Sequence, residues 1–435
     1  MFRQLNARAS VLVSFLFVLL DTSKALALPA FAIREKAPCE LCHANGNAPH
    51  LTRYGFMYRR AGYRNPANIG NTETDKDAMH LTDHMAVGVN FDYEYGTNKA
   101  RGGGTPTPTA NQFDARELEL WPLVGAFQGN IGVFSEIDAS PATASPGTDT
   151  AAAGGGASVT HMELVYVKGT SELFFNFRGG LIAPQGFGAS DQWLDDGNLP
   201  FIDSLTPQYN QDTLLLPLGA NQLPQLGSEL GMSLNSETYV TLGAYNGFDG
   251  SNGLATKSQS TLSPVLNNGY SGGAKDYKVQ VDQFIGGGAA VTAVYYKGVV
   301  SLLDPTNSEV WRNHYSTWRL YATESVTDSV DLLAGAADGI YAYRNSAPDE
   351  TGGTFTSPGG FVALNTYLVG HLTTSVRYDY FEYSRFQGDK QRATGGAFMV
   401  GVPIDNTLVN FHYNLRRSDV DGLTKNLRAE WRLIF

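Results

Sequence analysis

Five residues near the N-terminal end carry the chain's most specific chemistry: Cys39-Glu40-Leu41-Cys42-His43. This is C-x-x-C-H, the attachment spacing of c-type haem. Each thiol adds to one vinyl group of the porphyrin, and the following histidine offers its imidazole to the iron from the proximal face. The chain has 2 cysteines, and both lie in this motif. A zinc site would need two further ligands, and only His43 and His50 are close in sequence. A thioredoxin-like pair would need a preceding strand in a βαβ unit, which the sequence does not offer. The motif therefore predicts one covalently attached haem c, with Cys39 and Cys42 as attachment points and His43 as a ligand of the iron.

The segments that must position this motif fall into three parts: 1–27, 28–83 and 84–435. The first reads as a signal peptide. Arg3 and Arg8 make a positive start, Val11–Leu20 is apolar, and Ala25-Leu26-Ala27 is a small-x-small cleavage site. An apolar run of this length is too short to span a bilayer as a helix, for which about 20 residues are needed. The chain is thus expected to be exported into an oxidising compartment, where c-type haems are assembled. The second part, 28–83, is expected to be a short, partly helical monohaem segment, too small to bury a haem on its own.

From residue 84 onward the pattern alternates with a period of two. Val87, Val89, Phe91, Tyr93 and Tyr95 share one face, against Gly88, Asn90, Asp92 and Glu94. Val409, Phe411, Tyr413 and Leu415 oppose Asn410, His412, Asn414 and Arg416, and Leu427, Ala429, Trp431, Leu433 and Phe435 oppose Arg428, Glu430 and Arg432. Strand-like segments recur at 84–95, 113–123, 128–138, 158–168, 171–182, 225–234, 236–247 and 276–286. They continue at 288–301, 311–323, 327–340, 360–369, 371–384, 391–402, 406–417 and 424–435. Short turns such as Gly169-Thr170 alternate with long loops at 139–157, 183–224, 248–275 and 341–359. Charged residues are 17% of the chain, glycines number 48, and 22 Tyr and 23 Phe far outnumber 5 Trp. Together these features predict an all-β fold, a transmembrane antiparallel β-barrel of about 16 strands facing outer-membrane lipid.

A formal charge of −11 excludes the basic footprint that nucleic-acid binding requires. No nucleophile elbow, P-loop or H-E-x-x-H motif occurs. The longest loop, 183–224, corresponds in place to the loop that narrows the lumen of general porins, and its Asp191, Asp195, Asp196 and Asp203 could steer cations.

A second axial ligand has six candidates: His50, Met57, Met79, His80, His84 and Met85. His84 and Met85 stand at the start of the first strand, and parity separates them. His84 shares the lumen face with Gly88, Asn90 and Asp92, whereas Met85 shares the lipid face with Val87 and Val89. The pattern favours His84 and leaves Met85 open.

Pro29-Ala30-Phe31-Ala32 precedes the haem motif, Pro49-His50-Leu51-Thr52-Arg53-Tyr54-Gly55 follows it, and Gly62-Tyr63 comes next. In these pieces the chain resembles the fused cytochrome–porin family of bacterial outer membranes, whose best-known members are iron(II) oxidases. The family pattern is approximately P-A-F-A-R, C-x-x-C-H, P-x-L-x-x-[FY]-G and a later G-Y; this chain has Ile33 before Arg34. The resemblance implies an outer-membrane protein acting as an iron(II):cytochrome c oxidoreductase by electron transfer alone. Extracellular Fe(II) would be the donor and a periplasmic cytochrome c the acceptor, with the haem segment at the periplasmic mouth or inside the lumen. Two alternatives stand beside it: export of electrons to an external acceptor, and a selective diffusion porin in which the haem is a structural plug.

Overall fold

The structure is a computed structural model of the full chain. It describes residues 31, 35, 37–38, 41–43, 51–69, 86–99, 107–127, 130–140, 156–182, 184, 225–246, 275–286, 288–303, 310–344, 354–368, 372–384, 390–404, 407–419 and 422–434. The signal peptide read at 1–27, Cys39, His84 and most of the long loops lie outside these residues.

The helix α1 (Arg53–Arg60) and a short 3-10 turn (Pro66–Asn68) precede the strands β1 (Ala86–Lys99), β2 (Thr107–Trp121), β3 (Val124–Phe127), β4 (Ile131–Ser140), β5 (Gly156–Gly169) and β6 (Phe174–Ile182). There follow β7 (Gln225–Ser233), β8 (Thr238–Tyr245), β9 (Asp276–Ile285), β10 (Ala289–Leu303), β11 (Val310–Thr327) and β12 (Val330–Arg344). The last are β13 (Thr354–Thr356), β14 (Gly359–Tyr367), β15 (Thr373–Ser384), β16 (Lys390–Ile404), β17 (Thr407–Ser418) and β18 (Gly422–Ile434).

All the strands join one 18-stranded antiparallel sheet, and β18 pairs with β1 so that the sheet closes on itself. Eighteen segments make sixteen staves, because two staves are interrupted. Both β2 and β3 pair with β4, and both β13 and β14 pair with β12. Each break contains a proline, Pro122 or Pro358, which has no N–H to give to the ladder. Ser135 bridges the first gap: its hydroxyl both accepts from the Leu123 N–H and donates to the Leu123 carbonyl, each at 3.0 Å. At the second gap the Ser357 N–H donates to the Gly339 carbonyl.

The alternation predicted from sequence is present in the wall. Phe91, Tyr95, Phe411, Tyr413, Leu427 and Trp431 are exposed on the outer face, whereas Asn410, His412, Arg428 and Glu430 are buried on the inner one. The strand count agrees with the sequence reading, but the boundaries move. Residues 84 and 85 lie outside the described residues, and the expected loop 341–359 is shortened by β12, which reaches Arg344, and by β13. Short connections gather at one end of the barrel, at 170–173, 234–237, 286–288, 328–329 and 368–372, and mark the periplasmic end of an outer-membrane barrel. On intact cells an impermeant maleimide should therefore label Lys390→Cys, at the outer start of β16, and leave Asp328→Cys unlabelled; the reverse pattern would invert the barrel.

Candidate functional site

Eight residues are too few to hold a helix in water, so α1 depends on its caps and on packing. Thr52 is the N-cap, and its hydroxyl oxygen accepts from the Gly55 N–H at 3.1 Å. The same hydroxyl donates to the Leu41 carbonyl at 2.6 Å, and the Thr52 N–H donates to the Cys42 carbonyl at 2.9 Å. His43 forms an antiparallel bridge with Leu51. The start of α1 is thereby clamped to the backbone of the C-x-x-C-H motif. Gly55 is required at this joint, because a Cβ there would overlap the Cys42 carbonyl. Gly55→Val should therefore separate motif and helix, at a cost of about 1–3 kcal/mol for overpacking. Haem staining per barrel, normalised to the folded band, should fall in this variant.

Cys42 and His43 are half-buried, and Leu41 beside them is exposed. The Tyr54 hydroxyl is pushed up to about 12 by burial and by the nearby Glu35 carboxylate, so it stays neutral. The donor set fits a c-type haem: a soft sulfur for the thioether and an adjacent imidazole, on a backbone fixed by three contacts to Leu51 and to Thr52, the N-cap of α1. Of the other predicted residues, Cys39, His84, His50, Met79, His80 and Met85 lie outside the described residues. Met57 is placed in an apolar core with Phe56 and Tyr58.

That core is shared between the N-terminal segment and the inner wall of the barrel. Phe56, Met57, Tyr58, Ala61, Tyr63 and Ile69 pack with Val165, Val167, Phe174, Tyr239, Phe284 and Ala290. The wall residues all stand within a few positions of the short turns, so α1 lies inside the periplasmic part of the lumen. Phe56 meets Tyr239 and Phe284 edge-on, with centroids 5.6 and 5.4 Å apart. The Arg60 guanidinium lies 5.1 Å from the ring centres of both Phe56 and Tyr239, and 3.8 Å from the Glu229 carboxylate. Asn176 donates to the Arg60 carbonyl at 2.6 Å, and Arg64 donates to the Ile131 carbonyl at 2.6 Å.

The chain leaves α1 through two residues of positive φ, Gly62 at 72° and Tyr63 at 60°. For a tyrosine this backbone is strained and persists only where its surroundings fix it. Here the Tyr63 ring is stacked between Phe31 and Phe134, each with its centroid 5.5 Å away, and the hydroxyl donates to Glu163. Gly62 lies so close to Gly132 on β4 that a Cβ on Gly132 would overlap the Gly62 carbonyl. The separate sequence pieces singled out earlier thus meet: Phe31 stacks on Tyr63, and Leu51–Gly55 clamps the C-x-x-C-H motif.

Sequence reasoning did not identify the ionic cluster beneath α1. Glu163 faces Arg178 at 3.0 Å, His161 at 3.1 Å and the Tyr63 hydroxyl. Glu229 accepts from Arg178, Lys278 and Tyr245. Lys278 also donates to the Pro184 carbonyl at 2.6 Å, so Pro184 faces inward. These charges are buried, and burial at this cost is sustained by mutual pairing. Their inward parity was legible in the sequence; their convergence from four strands was not.

A closed wall of sixteen staves with short turns at one end defines a porin-type outer-membrane barrel. Comparison with solved structures agrees on this class. The chain is similar to the anion-selective porin from Comamonas acidovorans at a TM-score of 0.51 and 10% identity, covering 81% of this chain and 98% of that one. It is also similar to the outer membrane channel DcaP of Acinetobacter baumannii, with a TM-score of 0.48, 12% identity, and 81% and 96% of the two chains covered. For Pseudomonas putida OprB the values are 0.47, 11%, 83% and 96%. At such identities the likeness is one of fold. No family model matches the chain, and no curated protein matches its sequence.

Proposed function

We propose that this outer-membrane barrel carries electrons between the cell exterior and the periplasm through one c-type haem, with extracellular Fe(II) as donor and a periplasmic cytochrome c as acceptor. The observation that supports this most is the clamp: the backbone of Cys42 and His43 is bound to a helix docked inside the lumen. Cys39 and Cys42 would hold the haem covalently and His43 would ligate its iron, supplying a one-electron carrier in an otherwise insulating membrane. The part played by the chain is positional. Thr52 and Gly55 fix the motif to α1, while Phe56, Arg60 and Tyr63 fix α1 to the wall. Fe(II) as donor rests on the resemblance of residues 29–63 to the cytochrome–porin family.

Stopped-flow mixing of the purified protein with Fe(II) tests the reading. Growth of the reduced-haem absorption bands is expected, and their absence on any useful timescale would remove iron oxidation. The second axial ligand is tested separately. His84→Ala should turn a low-spin spectrum into a high-spin or mixed one, while Met85→Ala changes it little; the opposite result would transfer the role to Met85. Two other readings keep the same barrel. Electrons could run outward to an external acceptor, or the chain could be a selective diffusion porin in which the haem would be a structural plug, a reading for which the porin-like fold is the support.

A further inference from the structure

Barrels of sixteen or more staves ordinarily leave an aqueous channel, yet here a segment of the same chain is built into the lumen. Its attachment has three independent kinds of contact. The first is apolar, Phe56 against Tyr239 and Phe284. The second is ionic, Arg60 toward Glu229, with Tyr63 donating to Glu163. The third is steric, the fit of Gly62 onto Gly132. None of the three uses a cysteine or histidine of the haem motif.

We propose that the barrel is a latent ion pore, held shut by residues 53–69 acting as a stopper whose latch is the Arg60–Glu229 contact and whose seat is the Gly62–Gly132 contact. The ligands of the released pore are small hydrated ions and solutes, the usual cargo of a lumen lined by polar side chains. This holds whether or not the haem carries electrons, because the seat and latch lie outside the C-x-x-C-H motif.

Two substitutions separate the stopper from the wall without dismantling either. Arg60→Gln removes the latch, and Glu229 keeps its partners Arg178 and Lys278, so the wall stays neutralised. Gly132→Val blocks the seat: the three nearest atoms its Cβ would meet all belong to Gly62, and a β-branched residue suits a strand. Overpacking of this kind shifts a docking equilibrium by about tenfold to a hundredfold. The test is single-channel recording of the full-length, haem-loaded protein in planar bilayers bathed in KCl. The wild type should be closed almost throughout, and both variants should open at least about tenfold more often. Haem staining should be retained in both, which distinguishes release of the stopper from loss of the haem site. An open wild-type channel would overturn the proposal. So would two heat-modifiable, haem-bearing variants as closed as the wild type. Should Gly132→Val fail to fold, Arg60→Gln decides, because Arg60 is no part of the wall.

Discussion

Replacing both Cys39 and Cys42 by alanine is expected to abolish covalent haem staining and to leave a heat-modifiable barrel in the outer membrane. The loss should be total, because a thioether cannot form without a thiol and these are the chain's 2 cysteines. Survival of the barrel follows from its closure. The wall is completed by the pairing of β1 with β18, and the cysteines precede β1. At Cys42 the contacts that hold α1 are made by the backbone carbonyl, which alanine retains. Staining of total membranes for haem, beside a gel of heated and unheated samples, checks both halves. Covalent haem in the double variant would defeat the attachment sites.

Glu229→Ala is expected to destabilise the barrel more than a substitution elsewhere on the inner wall. Glu229 is buried and accepts from Arg178, Lys278 and Tyr245, with Arg60 beyond. Removing it leaves buried cations without their shared anion, a change that costs about 3–5 kcal/mol. The temperature at which the folded band converts to the unfolded one should fall clearly. Arg60→Gln should leave that temperature nearly unchanged, because the remaining pairs persist. Equal and small effects of the two substitutions would show that the cluster is solvated rather than buried.

The staves were legible in the sequence because lipid and lumen impose opposite chemistry on successive residues. Phe411, His412 and Tyr413 illustrate it: two aromatic residues exposed on the outside flank a buried histidine on the inside. What periodicity could not show was discontinuity. Pro122 and Pro358 each interrupt a stave, and the single run read at 113–123 hides the break before β3. The C-x-x-C-H motif stands out in the sequence because its spacing is local, with Cys39, Cys42 and His43 within five residues. The docking residues were not. Tyr63 and Glu163 are 100 positions apart, and Lys278 and Glu229 are 49 apart, so only the closed sheet brings them together. A polar inward face is expected of every stave, and nothing in one stave distinguishes Glu163 from a charge facing water. Gly62-Tyr63 could be noticed as part of a family pattern. Its purpose, a strained turn stacked against Phe31 and Phe134, required the wall.

The central claim is that electrons pass through this barrel by way of the haem-bearing segment, and its most direct test is transport across a membrane. The protein is reconstituted into liposomes that enclose oxidised cytochrome c, and Fe(II) is added outside. The enclosed cytochrome should be reduced rapidly in liposomes bearing the wild type and slowly, at the rate of empty liposomes, in those bearing the Cys39→Ala, Cys42→Ala variant. Equal rates for the two proteins, with the wild type shown to carry its haem, would contradict the account.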